Sequence, residues 1–123
     1  MITADTLPAA SGKGRRITLW ILSGLVALVF MGAGGAKLAG AAAMVELFAK
    51  VGLGQWLRYV TGLLEVTAGI GLLIPRYAFS AAVLLAIVMA GAFIAHVTVL
   101  GSSPAAPAVL ILLTGTIAYL RKP

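Results

Sequence analysis

The chain reads as an all-α membrane protein: a four-helix bundle with a short amphipathic helix in its first loop. Three observations carry that reading. Of its 123 residues, 62% are hydrophobic and only 10% charged, with a mean hydropathy of +1.12. A globule of this size leaves a large share of its residues facing water, so lipid must cover so much apolar surface. The apolar residues also fall into four runs, near 17–37, 56–75, 78–100 and 104–120, each about long enough to cross a hydrocarbon core of ~30 Å. Finally, the basic residues gather at the ends of those runs, as they do in membrane proteins.

Residues 1–16 are polar and rich in small side chains, which predicts a disordered tail ahead of a single bundle spanning 17–123. Lys13, Arg15 and Arg16 precede the first run. A basic stretch before an apolar one also describes a signal peptide, but this run is of spanning length and is expected to remain as a helix. The second run ends at Pro75 and Arg76, and the third reaches Leu100. Pro104 and Pro107 open the fourth run, where proline is tolerated because the first amides of a helix lack helical partners. Arg121 and Lys122 close it.

Four spans place both termini on one side. That side holds Lys13, Arg15, Arg16, Arg76, Arg121 and Lys122, against Lys37, Lys50 and Arg58 on the other. The excess favours cytoplasmic termini. The net charge of +6 therefore reads as topology control and attraction to anionic headgroups. The basic residues form no stripe with interleaved aromatics, so nucleic acid is not an expected partner. With no cysteine, disulfides, thiolate metal sites and thiol redox centres are excluded.

Between the first two runs, Met44, Leu47, Phe48 and Val51 fall at helical spacing, with Glu46 and Lys50 on another face. This predicts a short amphipathic helix at the outer surface, either packed on the bundle as an ordinary loop helix or serving as a lid. Inside the spans, glycine and alanine recur at Gly32, Gly34, Gly35, Gly62, Gly69, Ala82, Ala86, Ala90 and Gly91. Such spacing lets helix backbones approach closely where lipid supplies no hydrophobic drive.

Glu65 is the one acidic residue of the second run, and a carboxylate at bilayer depth needs a partner. At ~1.5 Å per residue, Glu65 lies about 10 Å below the outer interface, in one layer with Lys37, Arg58 and His96. Arg58, Thr61, Glu65 and Gly69 share one helix face, and Met89, Ala92 and His96 share another. The two faces are expected to flank a cavity, with Trp56 and Tyr59 at its mouth. The candidate ligand-binding residues are thus Lys37, Arg58, Thr61, Glu65, Met89 and His96. Glu65 and His96 are also the candidates for catalysis, because they are the proton-exchanging groups of that layer. Plainer readings stand beside these: a structural Lys37–Glu65 or Arg58–Glu65 clasp, snorkelling of Lys37 and Arg58 to the headgroups, and His96 bonded to a backbone carbonyl. One His with one Glu falls short of any metal-site pattern, so no metal is expected.

Gly34-Gly35-Ala36-Lys37-Leu38, Phe48, Gly52-Leu53-Gly54, Trp56, Gly62-Leu63-Leu64-Glu65, Gly71-Leu72-Leu73-Ile74-Pro75 and Met89-Ala90-Gly91-Ala92 with His96 together resemble the DoxX-like family of small four-helix membrane proteins. The resemblance covers roughly residues 30–96, and the Lys37 and Glu65 positions are its most specific element. It implies a four-helix bundle in a bacterial inner (plasma) membrane. Family relatives include subunits associated with quinone oxidoreduction and others that look like assembly factors. Two functions are therefore expected. The first is an accessory or scaffold subunit that binds a lipid-like molecule, other membrane subunits or a second copy of itself through an outer-leaflet pocket. The alternative is an oxidoreductase subunit or enzyme acting on a quinone or similar amphiphile, with Glu65 and His96 exchanging protons.

Overall fold

The structure is a computed structural model that describes residues 9–123, with side chains from residue 12 onward. It is all-helical, and no strand occurs among the described residues. Five α-helices follow in order: α1 (Ala9–Ala39), α2 (Ala42–Val51), α3 (Trp56–Leu72), α4 (Ala78–Ala95) and α5 (Ala105–Arg121). A π-helical turn, His96–Leu100, extends α4. Helix α1 packs on α3, α3 on α4, α4 on α5, and α5 back on α1. This closed ring is compatible with the expected four-helix bundle, and α2 lies outside it, against α3 and the π-helical turn.

The first helix starts earlier than the chemistry of its sequence implies. Residues 9–16, read above as part of a tail, belong to α1, while residues 1–8 of that tail lie outside the described residues. Alanine, lysine and arginine are good helix formers, and extending an existing helix avoids the cost of nucleation. At its other end α1 stops at a left-handed Gly40, with φ of 74°. The Gly40 amide bonds the Lys37 carbonyl at 3.3 Å and the Ala41 amide bonds that of Ala36 at 3.0 Å. This is a Schellman cap, which closes the last turn and sends the chain sideways into α2.

Two helical stretches, Gly12–Ala39 and Ala78–Leu100, are long and apolar enough to cross a membrane. Helices α3 and α5 have 17 residues each, about 25 Å of rise, at the short end of the spanning range. The buried core joins Val26, Ala27 and Phe30 of α1 to Ala68 and Leu72 of α3, Ala82, Leu85 and Met89 of α4, and Ile117 of α5. Outward, Leu25, Leu28, Leu63, Ile87, Ile94 and Leu112 are all more than half exposed. An apolar exterior around a core that holds a buried ion pair is what a lipid solvent requires.

Aromatic rings mark the ends. Arg121 lies over Trp20 at 5.2 Å, Arg76 over Tyr77 at 5.6 Å and Lys122 over Tyr119 at 4.3 Å. Trp20 lies in the N-terminal half of α1, and the other two pairs sit where α4 begins and α5 ends. They form a belt of the kind found at membrane interfaces.

Candidate functional site

The polar residues converge where α1 ends, α3 begins and α4 gives way to its π-helical turn. Lys37 Nζ lies 2.7 Å from Glu65 Oε1, and the side chains are 13% and 1% exposed. An ion pair this well shielded from water is screened far less than a surface pair. What brings the two residues together is the backbone. A Cβ built on Gly34 would stand 2.7 Å from the Gly62 carbonyl oxygen, and one on Gly62 would stand 2.9 Å from that of Gly34. Each glycine is therefore a flat spot for the other, and α1 and α3 touch backbone to backbone. Lys37 and Glu65 each lie three residues along from that contact, and Lys37 Cβ is one of the atoms a side chain at Gly62 would meet, at 3.0 Å.

Arg58 takes a different part. It is 5% exposed, so it does not snorkel. Its Nη1 donates to the Lys37 carbonyl, and its Nε donates to Gln55 Oε1 at 2.7 Å. The guanidinium thus holds a carbonyl in the last turn of α1, where a cation is favoured by the helix dipole, and lies over the Tyr59 ring at 4.3 Å. The partner of Glu65 is Lys37.

A cavity of about 490 Å³ opens beside the pair, within the size range of small-molecule sites. Lys37, Thr61, Glu65, Met89 and His96 line it, as do Ala33, Ala92, Ala95, Pro107 and Leu110. Of the six candidate binding residues, the cavity brings together five. Arg58 is not in the lining, because its donors are turned to Lys37 and Gln55. Trp56 and Tyr59, expected at the mouth, are also absent from it. Trp56 instead donates its indole N–H to the Leu53 carbonyl at 2.7 Å.

Helix α2 closes one wall. Met44, Leu47, Phe48 and Val51, the four residues of its apolar stripe, all line the cavity, and Phe48 is buried. Helix α2 thus packs on the bundle with its apolar face turned to the cavity. His96 opens the π-helical turn, and its Nδ1 lies 2.6 Å from Ser102 Oγ, leaving Nε2 as its other polar atom. Thr98, Thr114 and Thr116 turn their hydroxyls back to helix carbonyls at 2.6–2.7 Å. Thr61 has no such bond among the described residues.

Gln55 escaped the sequence reading. Its Nε2 donates to the Val45 carbonyl of α2 at 3.0 Å while its Oε1 accepts from Arg58, so it ties α2 to the start of α3. A glutamine just ahead of an apolar run was the available signal. No group of three or more His, Asp or Glu that could hold a metal occurs among the described residues.

The sequence model of the DoxX-like family matches residues 21–118, which takes in every element of this site. No curated protein and no solved structure matches the chain.

Proposed function

Taking as premise that this chain belongs to the DoxX-like family and is a membrane protein, we propose that it binds a lipid-like amphiphile in the cavity beside Lys37 and Glu65, as an accessory subunit of a membrane complex. One observation carries the reading: an apolar cavity of about 490 Å³ with a shielded ion pair in its wall. A mostly apolar pocket with a few convergent polar groups is the usual form of a small-molecule site. Lipid-facing walls would admit the chain of an amphiphile, while Lys37, Thr61 and His96 offer hydrogen bonds to its head. On this reading Met89 packs the chain and α2 is the cover.

The proposed setting is a bacterial plasma membrane, crossed four times, with both termini cytoplasmic and the cavity in the outer leaflet. The distribution of basic residues supports it. A periplasm-active reporter after Pro123 should then be silent and one inserted near Ala42 active. The reverse pattern would move the cavity to the inner leaflet.

The binding test is native mass spectrometry of protein extracted with its surrounding lipid. A retained amphiphile is expected, lost in Ala92→Phe, which fills the cavity from its wall. Retention unchanged by Ala92→Phe, or no retained molecule at all, would sink the proposal. The rival is an enzyme acting on a quinone or similar amphiphile, and it has its own support: Glu65 and His96 line one cavity. His96→Gln separates the two: on the first reading binding weakens by no more than one hydrogen bond, about 0.5–1.5 kcal/mol, while on the second turnover of an added quinone is abolished.

A further inference from the structure

The cavity carries both signs of charge, and they are already spent on each other. Among the described residues, Lys37 is the one Lys or Arg side chain in its lining and Glu65 the one acidic side chain, and they are in contact at 2.7 Å. Arg58, the next cation, is engaged by the Lys37 carbonyl and Gln55 and is absent from the lining. The remaining polar groups are the Thr61 hydroxyl and His96.

From this inventory we infer that the cavity selects amphiphiles with an uncharged oxygen head, such as an alcohol, ketone or ester, over amphiphiles with an anionic head. The inference rests on the reading of the cavity as an amphiphile site. An anionic head drawn to Lys37 must displace Glu65, which is 1% exposed, and would leave two anions sharing one cation away from water. A cationic head faces the mirror problem at Lys37. A neutral oxygen breaks nothing. An ammonium has three N–H donors, so Lys37 can donate to a ligand oxygen while it holds Glu65. The Thr61 hydroxyl and His96 can add a hydrogen bond each. Because the selection is built from a neutralised pair, removing one partner should turn it over instead of merely weakening it.

The experiment uses the full chain in nanodiscs of zwitterionic lipid, at about pH 8.5, above the ordinary histidine range. Two unlabelled competitors displace a fluorescent fatty alcohol: a long-chain fatty alcohol, and the sulfate monoester of that alcohol, which stays anionic. The wild-type protein should prefer the alcohol by about tenfold or more, equivalent to about 1.4 kcal/mol. Glu65→Gln keeps the shape and frees the Lys37 ammonium, so the sulfate should become the better competitor by a similar factor. In Lys37→Met/Glu65→Met, which has no pair to free, the preference should stay with the alcohol. A wild-type preference for the sulfate, or a Glu65→Gln variant that folds and still prefers the alcohol, overturns the inference. Equal competition that is lost in Ala92→Phe also overturns it, yet leaves the binding reading standing. If neither competitor displaces the probe from the wild type, both fall together.

Discussion

The two long seams of this molecule are built on opposite plans. Along α1 and α3 the helices meet through glycine: Gly34 against Gly62, and Gly69 with Met31 and the Ala27 carbonyl within 3.0–3.3 Å of where its Cβ would be. Along α4 and α5 the contact is made by side chains, with Leu85, Met89 and Ile117 buried. The glycines of that second seam contribute nothing to it. A Cβ on Gly91 or Gly115 would meet no atom within 4 Å. Small residues in a membrane helix are therefore not one signal. Gly34 and Gly62 bring two backbones together and place a lysine against a glutamate. Gly91 and Gly115 leave space, and at Gly91 that space belongs to the cavity.

The contrast is sharpest at the ion pair. Glu65→Ala should cost about 3 kcal/mol or more, because it leaves Lys37 without its partner in the seam. Unfolding in mixed micelles with rising dodecyl sulfate measures this, and Glu65→Gln should lose less, since the amide still fills space and can accept a hydrogen bond. Equal losses for the two variants would mean the carboxylate has no special part in the seam.

Next comes the backbone contact. Gly62→Ala should cost about 1–3 kcal/mol by forcing overpacking against Gly34 and Lys37, and Gly62→Leu should prevent α1 and α3 from docking at all. A cross-link between cysteines introduced at the end of α1 and the start of α3 would report the separation. Full cross-linking in Gly62→Leu would break the comparison.

On the other seam a conventional core substitution should behave conventionally. Ile117→Val, at a fully buried position, should cost about 0.5–1.5 kcal/mol, the value of one lost methylene in a packed core. The smallest effect is expected at Gly115→Ala, within about 0.5 kcal/mol of the wild type, since the added methyl meets open space. A loss at Gly115 as large as that at Gly62 would erase the distinction between the seams.

Much of this was legible before any coordinates. Composition announced helices in lipid, and the spacing of Met44, Leu47, Phe48 and Val51 announced α2 together with the face it turns inward. Depth narrowed the partner of Glu65 to Lys37 or Arg58, because a buried charge must be partnered. Arg58 shows where that logic stops. Depth put it in the same layer, but its target is a backbone carbonyl, and sequence does not show which carbonyls a helix cap leaves accepting. Gln55 stands out ahead of its apolar run, but its partner does not, since its bond to Val45 depends on how α2 folds back. Nor could spacing tell Gly62 from Gly91. Whether a glycine touches a neighbour is a property of the neighbour.

The Lys37–Glu65 pair also bears on how the chain enters the membrane. The two residues belong to α1 and α3, which leave the ribosome at different times with α2 between them. Alone at the centre of a span, a charge raises the free energy of insertion by about 2.5–3.5 kcal/mol, and α3 carries Glu65 near its middle on only 17 residues. Helix α3 would therefore settle in the bilayer more readily with α1 already beside it, Lys37 standing in the last turn of that helix. One ion pair would then set the order of insertion, with α1 acting as the receptor for α3.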